Sequence, residues 1–302
     1  MKRFIGITGT TCVGKSDVAV ELAKMLGSEV ISADSMQIYR GMDIGTAKIT
    51  HDQMQNVKHH MLDIAEPNED FSSFVYRESA AKLIESAERT PIVVGGTGFY
   101  FDALLYPPEF GTVSVERRNQ LNQILDEKGL DALVEMLRKL DAKTAETIDL
   151  CNPKRIVRAI EIAESGVKKS DGSGKNRQPC FDCKLFVLQT DRAKLYEKID
   201  ERVDKMFENG LIEEVKNLVD KFGLCDTSAF NAIGYKEVIE YLNGEITLED
   251  AVRKVKLNTR HYAKRQITYF KRMDVSRFVD VDGKSPRQTA EYIRDCLIDW
   301  LN

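Results

Sequence analysis

Apolar residues in this chain fall into short continuous runs that alternate with stretches of helical spacing. Residues 4–8 (Phe4-Ile5-Gly6-Ile7-Thr8) read as a buried first strand. Residues 17–26 carry Val18, Leu22, Met25 and Leu26 at helical intervals and close on Gly27, a C-terminal stop signal. Further strands are predicted over 29–32, over 91–96 with a glycine pair at its end, over 184–189 and over 277–281. A helix over 74–87 places Val75, Ala80, Leu83, Ile84 and Ala87 along one side. Strands written as continuous apolar runs between helices predict a parallel sheet covered on both faces.

The stretch from about 115 to 163 departs from that alternation. It keeps helical periodicity and shows no strand signal, so it reads as a helical insertion. Residues 165–179 are rich in Gly, Ser, Lys and Asn and read as a loop. Long helical patterns occupy 190–222 and 248–273. The expected division is an α/β core over 1–112 and 180–302, with a helical insertion domain over 113–179.

Composition narrows the class. The 302 residues are 42% hydrophobic and 30% charged, the balance of a globular chain. No apolar run is long enough to span a membrane, and the N-terminus lacks the apolar core of a signal peptide. A cytoplasmic enzyme is expected, with nothing that demands more than a monomer. The six cysteines are scattered, and disulfides are not expected in that compartment. Cys180 and Cys183 form a lone CxxC without a second pair, so they read as small residues leading into a strand. His59 and His60 are adjacent and cannot both face one metal from a regular element, so a structural role or a contact to the diphosphate site is expected.

Charge distribution says more than total charge. The net charge is −4, yet residues 251–273 hold eight Lys or Arg and no acid. On a helix Lys256, Arg260 and Lys264 share one face, with Arg265 beside it. With no acid nearby in the sequence, this face is expected to meet an RNA backbone.

The most specific motif is Gly9-Thr10-Thr11-Cys12-Val13-Gly14-Lys15-Ser16, set between a strand and a helix. It matches G-x-x-x-x-G-K-[ST], a phosphate-binding loop. The loop amides and the helix N-terminus attract a di- or triphosphate, Lys15 adds positive charge, and the Ser16 hydroxyl can hold Mg²⁺. A P-loop NTPase-like sheet is therefore expected. An ordinary NTPase would add a strand ending in Asp. The candidate strand ends Val94-Gly95-Gly96-Thr97-Gly98, without an acid, and attention moves to Asp34 after the second strand.

The phosphate loop, followed by residues 34–48 (Asp34-Ser35-Met36-Gln37-Ile38-Tyr39-Arg40-Gly41-Met42-Asp43-Ile44-Gly45-Thr46-Ala47-Lys48), resembles the tRNA dimethylallyltransferase family. His59-His60-Met61-Leu62-Asp63, Gly95-Gly96-Thr97-Gly98-Phe99-Tyr100 and residues 152–161 continue the resemblance in order. Ile233-Gly234-Tyr235-Lys236-Glu237 and residues 259–266, which end Lys264-Arg265-Gln266, complete it over about 4–275. The chain resembles the bacterial type, since it ends without the zinc finger of many eukaryotic relatives. The resemblance implies transfer of a dimethylallyl group from its diphosphate to the exocyclic amine of the adenine beside the anticodon. It implies Asp34 as the group that accepts the amine's proton, with Lys15, Ser16 and Thr97 as further catalytic residues. It implies residues 9–16 as the diphosphate site, with Mg²⁺ on Ser16. Contact with the tRNA anticodon stem-loop is implied for Asp34, Ser35, Met36, Gln37, Thr97, Arg118, Lys154, Arg155, Ile156, Val157, Arg158, Arg260, Lys264 and Arg265.

Three positions depart from the family pattern. Thr10 stands for a usual Pro, Cys12 for a usual small residue such as Ala, and Asn231 for a frequent Arg or Gln. The alternatives are an adenylate isopentenyltransferase acting on a free nucleotide, a small-molecule P-loop kinase, and a non-catalytic RNA-binding module. The helical insertion and the basic helix favour tRNA over the first. The missing strand-end acid disfavours the second, and the intact Lys15, Ser16 and Asp34 disfavour the third.

Overall fold

A computed structural model describes residues 1–106, 115–166 and 178–301. Two compact units emerge, one of Met1–Leu105 with Cys180–Asn302 and one of Tyr106–Pro179. The expected first boundary at 113 lies outside the described residues, and the second coincides with the end of the polar stretch at Pro179. At the neck between the units the backbone N–H of Cys180 donates to the carbonyl of Leu105 at 2.9 Å.

The first unit is a six-stranded, all-parallel sheet in the order β3-β2-β4-β1-β5-β6. Its elements before the neck are β1 (Arg3–Gly9), α1 (Lys15–Leu26), β2 (Val30–Ser32), α2 (His51–Met54), β3 (His59–His60), α3 (Ser73–Ser86), β4 (Ile92–Val94) and α4 (Gly98–Leu105). The second unit holds α5 (Val115–Lys128), α6 (Leu130–Leu140), α7 (Ala142–Thr147) and α8 (Pro153–Glu164). The first unit resumes with β5 (Asp182–Gln189), α9 (Arg192–Glu208), α10 (Leu211–Phe222), α11 (Tyr235–Leu242), α12 (Leu248–Phe270), β6 (Ser276–Asp280) and α13 (Pro286–Leu301).

The strands are continuous apolar runs because both faces are buried, and Phe4, Ile5, Ile7, Val30, Ile92 and Val93 are fully covered. One apolar cluster joins Val18, Ala19, Leu22 and Ala23 of α1 to Ile293 and Leu297 of α13. Five strands were expected and a sixth is found: the histidine pair is β3, an edge strand paired to Val30 and Ile31. The expected long helix over 190–222 breaks at Gly210, whose φ of 98° turns the chain between α9 and α10. In the second unit, Leu121, Leu133, Leu137, Ile156 and Ile160 form a separate core. Asn152 caps α8 by accepting the N–H of Arg155, and Pro153 follows at the first turn.

Candidate functional site

The site forms at the C-terminal ends of β1, β2 and β4, three neighbours in the sheet, where ligands meet such sheets. β1 ends at Gly9, whose φ is 143° and where a Cβ would lie 2.3 Å from the carbonyl oxygen of Leu188. The loop then passes through Cys12 and Gly14, both at positive φ (64° and 86°), and enters α1 at Lys15. Val13 is buried in the sheet core and anchors the loop from below. No side chain caps the N-terminus of α1. Its backbone donors thus remain for an anion, which the helix dipole also favours. Thr11, Cys12, Val13, Gly14, Lys15 and Ser16 all line one cavity of ≈ 850 Å³, with Asp34 and Gln37 opposite.

Lys15 bonds from its ammonium to the carbonyl of Thr10 at 2.6 Å. Loss of water around the ammonium lowers its pKa to about 8, partly offset by the negative charge of Asp34. Arg202 acts in the same direction as desolvation, because it is a second cation near the same point. The cavity is thus a place where positive charge is held against its own tendency, which an incoming anion relieves. The Thr10 hydroxyl is buried without a hydrogen-bond partner among the described residues.

Asp34 follows β2, and Ala33 before it donates its N–H to Val94 at 2.7 Å. One carboxylate oxygen, Oδ1, accepts from the N–H of Met36 at 2.9 Å and of Gln37 at 3.4 Å. This turn aims the carboxylate and leaves Oδ2 without a bond among the described residues. Thr97 lies beside it: its Oγ1 accepts the N–H of Ser35 at 3.0 Å and approaches the hydroxyl of Ser35 at 3.3 Å. The turn after β4 can come this close only through glycine, since a Cβ on Gly95 would lie 2.1 Å from the carbonyl oxygen of Ala33. Tyr262 of α12 lines the cavity, and desolvation, with the negative charge of Asp34 adding to it, raises that phenol's pKa.

The wall formed by residues 43–48 is fixed by an internal anion. The carboxylate of Glu214 accepts three backbone N–H groups, of Asp43 (2.9 Å), Ile44 (2.7 Å) and Gly45 (3.1 Å), and the hydroxyl of Tyr235 at 2.6 Å. Lys48, its side chain almost fully covered, closes the loop by pairing with Asp43 and Asp63. Gln37 joins in by donating its amide to Thr46 and Ala47, so its side chain is held as wall. Met36 packs against the cluster under this wall.

Mg²⁺ is the metal the phosphate loop implies. Among the described residues no three His, Cys, Asp or Glu side chains gather to hold an ion. The oxygen donors that line the cavity include the hydroxyl of Ser16 and the unbonded oxygen of Asp34. Such a set fits a cation that takes its other ligands from phosphate and water.

The structure corrects two sequence expectations about the RNA-facing residues. Lys256 and Arg260 do have acids against them: Lys256 meets Asp204 at 2.7 Å, and Arg260 forms a close two-bond pair with Asp200, both acids on α9. Lys264 and Arg265 stay exposed, and Arg265 lies over the ring of Tyr262. Ile156 and Val157 are buried in the core of the helical unit, so their side chains do not face solvent. Lys154 and Arg155 are exposed on the same helix, with Asp149 3.7 Å from Arg155. Arg118 and Arg158 both bond the fully covered carboxylate of Glu161. Their pairing lowers the pKa of Glu161 against the desolvation that opposes it.

The structure also adds residues the sequence reading missed. Lys198, Arg202 and Lys205 of α9 and Lys284 line the same cavity as the phosphate loop. Their spacing on α9 (i, i+4, i+7) put them on one helix face and was a legible signal. Gln266, buried on α12, bridges the phosphate loop and the β4 turn. His59 lines the cavity, while His60 pairs with Glu29 at 2.7 Å. Cys183 is half-buried in β5 with its pKa raised by desolvation, and Asn231 bonds Asp226 and Thr227 locally.

The IPP transferase family model matches residues 37–273, and the isopentenyl transferase model matches residues 3–70. The chain is 43% identical to a tRNA dimethylallyltransferase of Caldanaerobacter subterraneus, covering 99% of this chain and 97% of that protein. It is 42% identical to the one of Clostridioides difficile, covering 97% and 98%. A solved tRNA isopentenylpyrophosphate transferase from Bacillus halodurans superposes with a TM-score of 0.76 at 38% identity, over 100% of this chain and 97% of that one. A eukaryotic dimethylallyltransferase acting on tRNA superposes at 0.84 with 27% identity, over 99% and 80%.

Proposed function

This chain belongs to the IPP transferase family, and on that premise we propose that it transfers a dimethylallyl group from dimethylallyl diphosphate to tRNA, with release of diphosphate. The acceptor is the exocyclic amine of the adenine next to the anticodon. The observation that carries this reading is the placement of Asp34 across one cavity from an uncapped phosphate loop. The turn after β4, Gly95-Gly96-Thr97-Gly98, lacks the strand-end acid with which an NTPase helps hold its metal. A prenyl transfer to an aromatic amine needs both an electrostatic sink for the leaving group and an acceptor for the amine's proton.

Each residue then has a task. The loop amides over residues 9–16, apart from that of Thr11, which bonds Gln266, and the ammonium of Lys15 receive the diphosphate and stabilise the charge that grows on it as the allylic C–O bond breaks. Ser16 would hold Mg²⁺, which when bound neutralises further charge on the leaving group. Arg202, Lys198 and Lys205 contribute positive field from α9. The amine nitrogen forms its bond to the allylic carbon, and its proton passes to Asp34, held by the N–H groups of Met36 and Gln37. Thr97 keeps Ser35, and through it Asp34, in register. The target base must leave its stack to reach this cavity, as in other enzymes that act on a base. The exposed cations Lys264 and Arg265 on α12, and Lys154 and Arg155 on α8, suit the backbone of an anticodon stem-loop.

Asp34→Asn tests the assignment. The transfer rate to tRNA is expected to fall about 10²–10⁴-fold, the range for loss of a general base. Affinity for dimethylallyl diphosphate, measured by calorimetry, is expected to change only a few-fold. Transfer at a near-normal rate would remove Asp34 from the chemistry. Labelled donor offered with AMP in place of tRNA separates the nucleotide prenyltransferase reading by product mass.

A further inference from the structure

Phe99 stands in the first turn of α4, two residues past Thr97, and is 68% exposed. Its ring meets that of Tyr269 edge to face, with centroids 5.2 Å apart and planes at 65°. Tyr269 in turn lies on the turn after β4: a Cβ on Gly98 would fall 2.2 Å from its Cδ1, so glycine is what admits the ring there. Tyr269 is also braced by Phe270, which is fully buried and packs edge to face on Phe101. The exposed phenyl is thus carried on a packed mount rather than on a loose loop.

Tyr262, Arg265 and Tyr269 follow one another at i, i+3 and i+7 along one face of α12. Tyr262 lines the cavity, the guanidinium of Arg265 lies 5.7 Å from the centre of its ring, and Tyr269 touches Phe99. A row of rings and one planar cation therefore leads from the cavity that holds Asp34 to an open aromatic side chain. Lys264 beside it is exposed, and residues 251–273 contain no acid. Aromatic rings interleaved with cations suit single-stranded nucleic acid, whose bases stack while its phosphates pair. One exposed phenyl is ordinary by itself. What distinguishes Phe99 is its place at the end of this row, beside Thr97.

Extrusion of the target adenine opens a gap in the loop's stack, and a neighbouring base loses a partner on one face. We propose that Phe99, mounted on Tyr269, replaces that partner: it is a substrate-binding residue that stacks on an unpaired base next to the reactive adenine. This role rests on the transfer to tRNA proposed above. Stacking reads no base edge, so Phe99 favours an opened loop without dictating the identity of the neighbour.

The test uses an anticodon stem-loop RNA and two versions of it, each abasic at one of the two nucleotides that flank the adenine. In Phe99→Ala the KM for the intact RNA is expected to rise about 5- to 100-fold, the range for one stacked base. Its kcat and its affinity for dimethylallyl diphosphate are expected to stay nearly unchanged. Phe99→Trp restores the KM, whereas Phe99→Leu, which keeps apolar contact with Tyr269, does not. The slope of log affinity against log salt stays as it is, since no phosphate contact is lost. With one of the two abasic RNAs, the unaltered protein and Phe99→Ala are expected to bind equally. Equal binding of the intact and both abasic RNAs by the unaltered protein overturns the proposal, and this comparison needs no variant. An unaltered KM in Phe99→Leu overturns it too, as does a Phe99→Ala penalty that persists on both abasic RNAs, the mark of a structural role. Absence of transfer to any RNA by the unaltered protein sinks the reading beneath it; transfer with a KM indifferent to Phe99 sinks this inference alone.

Discussion

Binding of dimethylallyl diphosphate is expected to draw a proton from solvent, and Lys15 is the reason. In the unliganded site its pKa is lowered from 10.5 to about 8 by desolvation. A diphosphate against the ammonium restores the charged form, so its pKa in the complex returns to the ordinary lysine range or above. The difference corresponds to about 3 kcal/mol of favourable interaction that the free site forgoes and the complex regains. Proton uptake follows from the fraction of neutral Lys15: near zero at pH 6.5, about half a proton at pH 8 and about 0.9 at pH 9. The substrate's own phosphate ionises near pH 6, so it adds little above pH 8. Calorimetric titration in buffers of differing ionisation enthalpy reads the uptake directly. Affinity is expected to be flat up to about pH 8 and then to weaken about tenfold per pH unit. Lys15→Met removes the linkage and weakens binding. The same substitution stabilises the unliganded protein at neutral pH, because it deletes a desolvated charge. The sign agrees with linkage: between pH 8 and 10.5 the unfolded chain binds more protons at this residue, so stability rises with pH across that window. Zero uptake at pH 8.5, or equal uptake in Lys15→Met, would refute the reasoning.

Two other outcomes follow from the ion pairs. Lys264→Ala is expected to weaken tRNA binding and to lower the slope of log affinity against log salt by about 0.7–0.9, one released counterion. Arg260→Ala is expected to leave that slope nearly unchanged, because Asp200 already neutralises Arg260; filter binding at several salt concentrations compares the two. Glu214→Gln is expected to destabilise the protein by about 1–3 kcal/mol, since an amide cannot serve three N–H groups and a phenol as a carboxylate does. Thermal unfolding measures that loss, and an unchanged Tm would mean the 43–48 wall does not depend on its internal anion.

The parts of the site that the sequence disclosed are those made by adjacent residues. A strand, a glycine loop and a helix follow one another in 4–26, and Asp34 and Thr97 each come directly after a strand. The misread or unread parts are made by residues far apart. The face of Lys256 and Arg260 looks unopposed in sequence because no acid lies within 251–273, but Asp200 and Asp204 sit about fifty to sixty positions earlier on α9. Glu161, which engages Arg118 and Arg158, lies 43 positions beyond Arg118. β3 escaped notice because two half-buried histidines carry no apolar run, and their pairing with Val30 and Ile31 alone makes them a strand. Ile156 and Val157 were implied as RNA contacts because their motif was carried over whole; the periodicity of α8 already placed them on its apolar side.

The neck at Leu105 and Cys180 has a consequence for how such a chain changes over time. Its two backbone segments are tied by the N–H of Cys180 bonding Leu105 and by the thiol of Cys180 donating to Leu104. The excursion between them therefore begins and ends at one point of the sheet unit, and it carries its own apolar core. Insertions and deletions within the excursion alter loop-closure entropy only logarithmically and leave the six strands in register. A catalytic scaffold of this layout is modular at a single address: selection can reshape the helical unit to suit a different nucleic acid while the chemistry stays where it was.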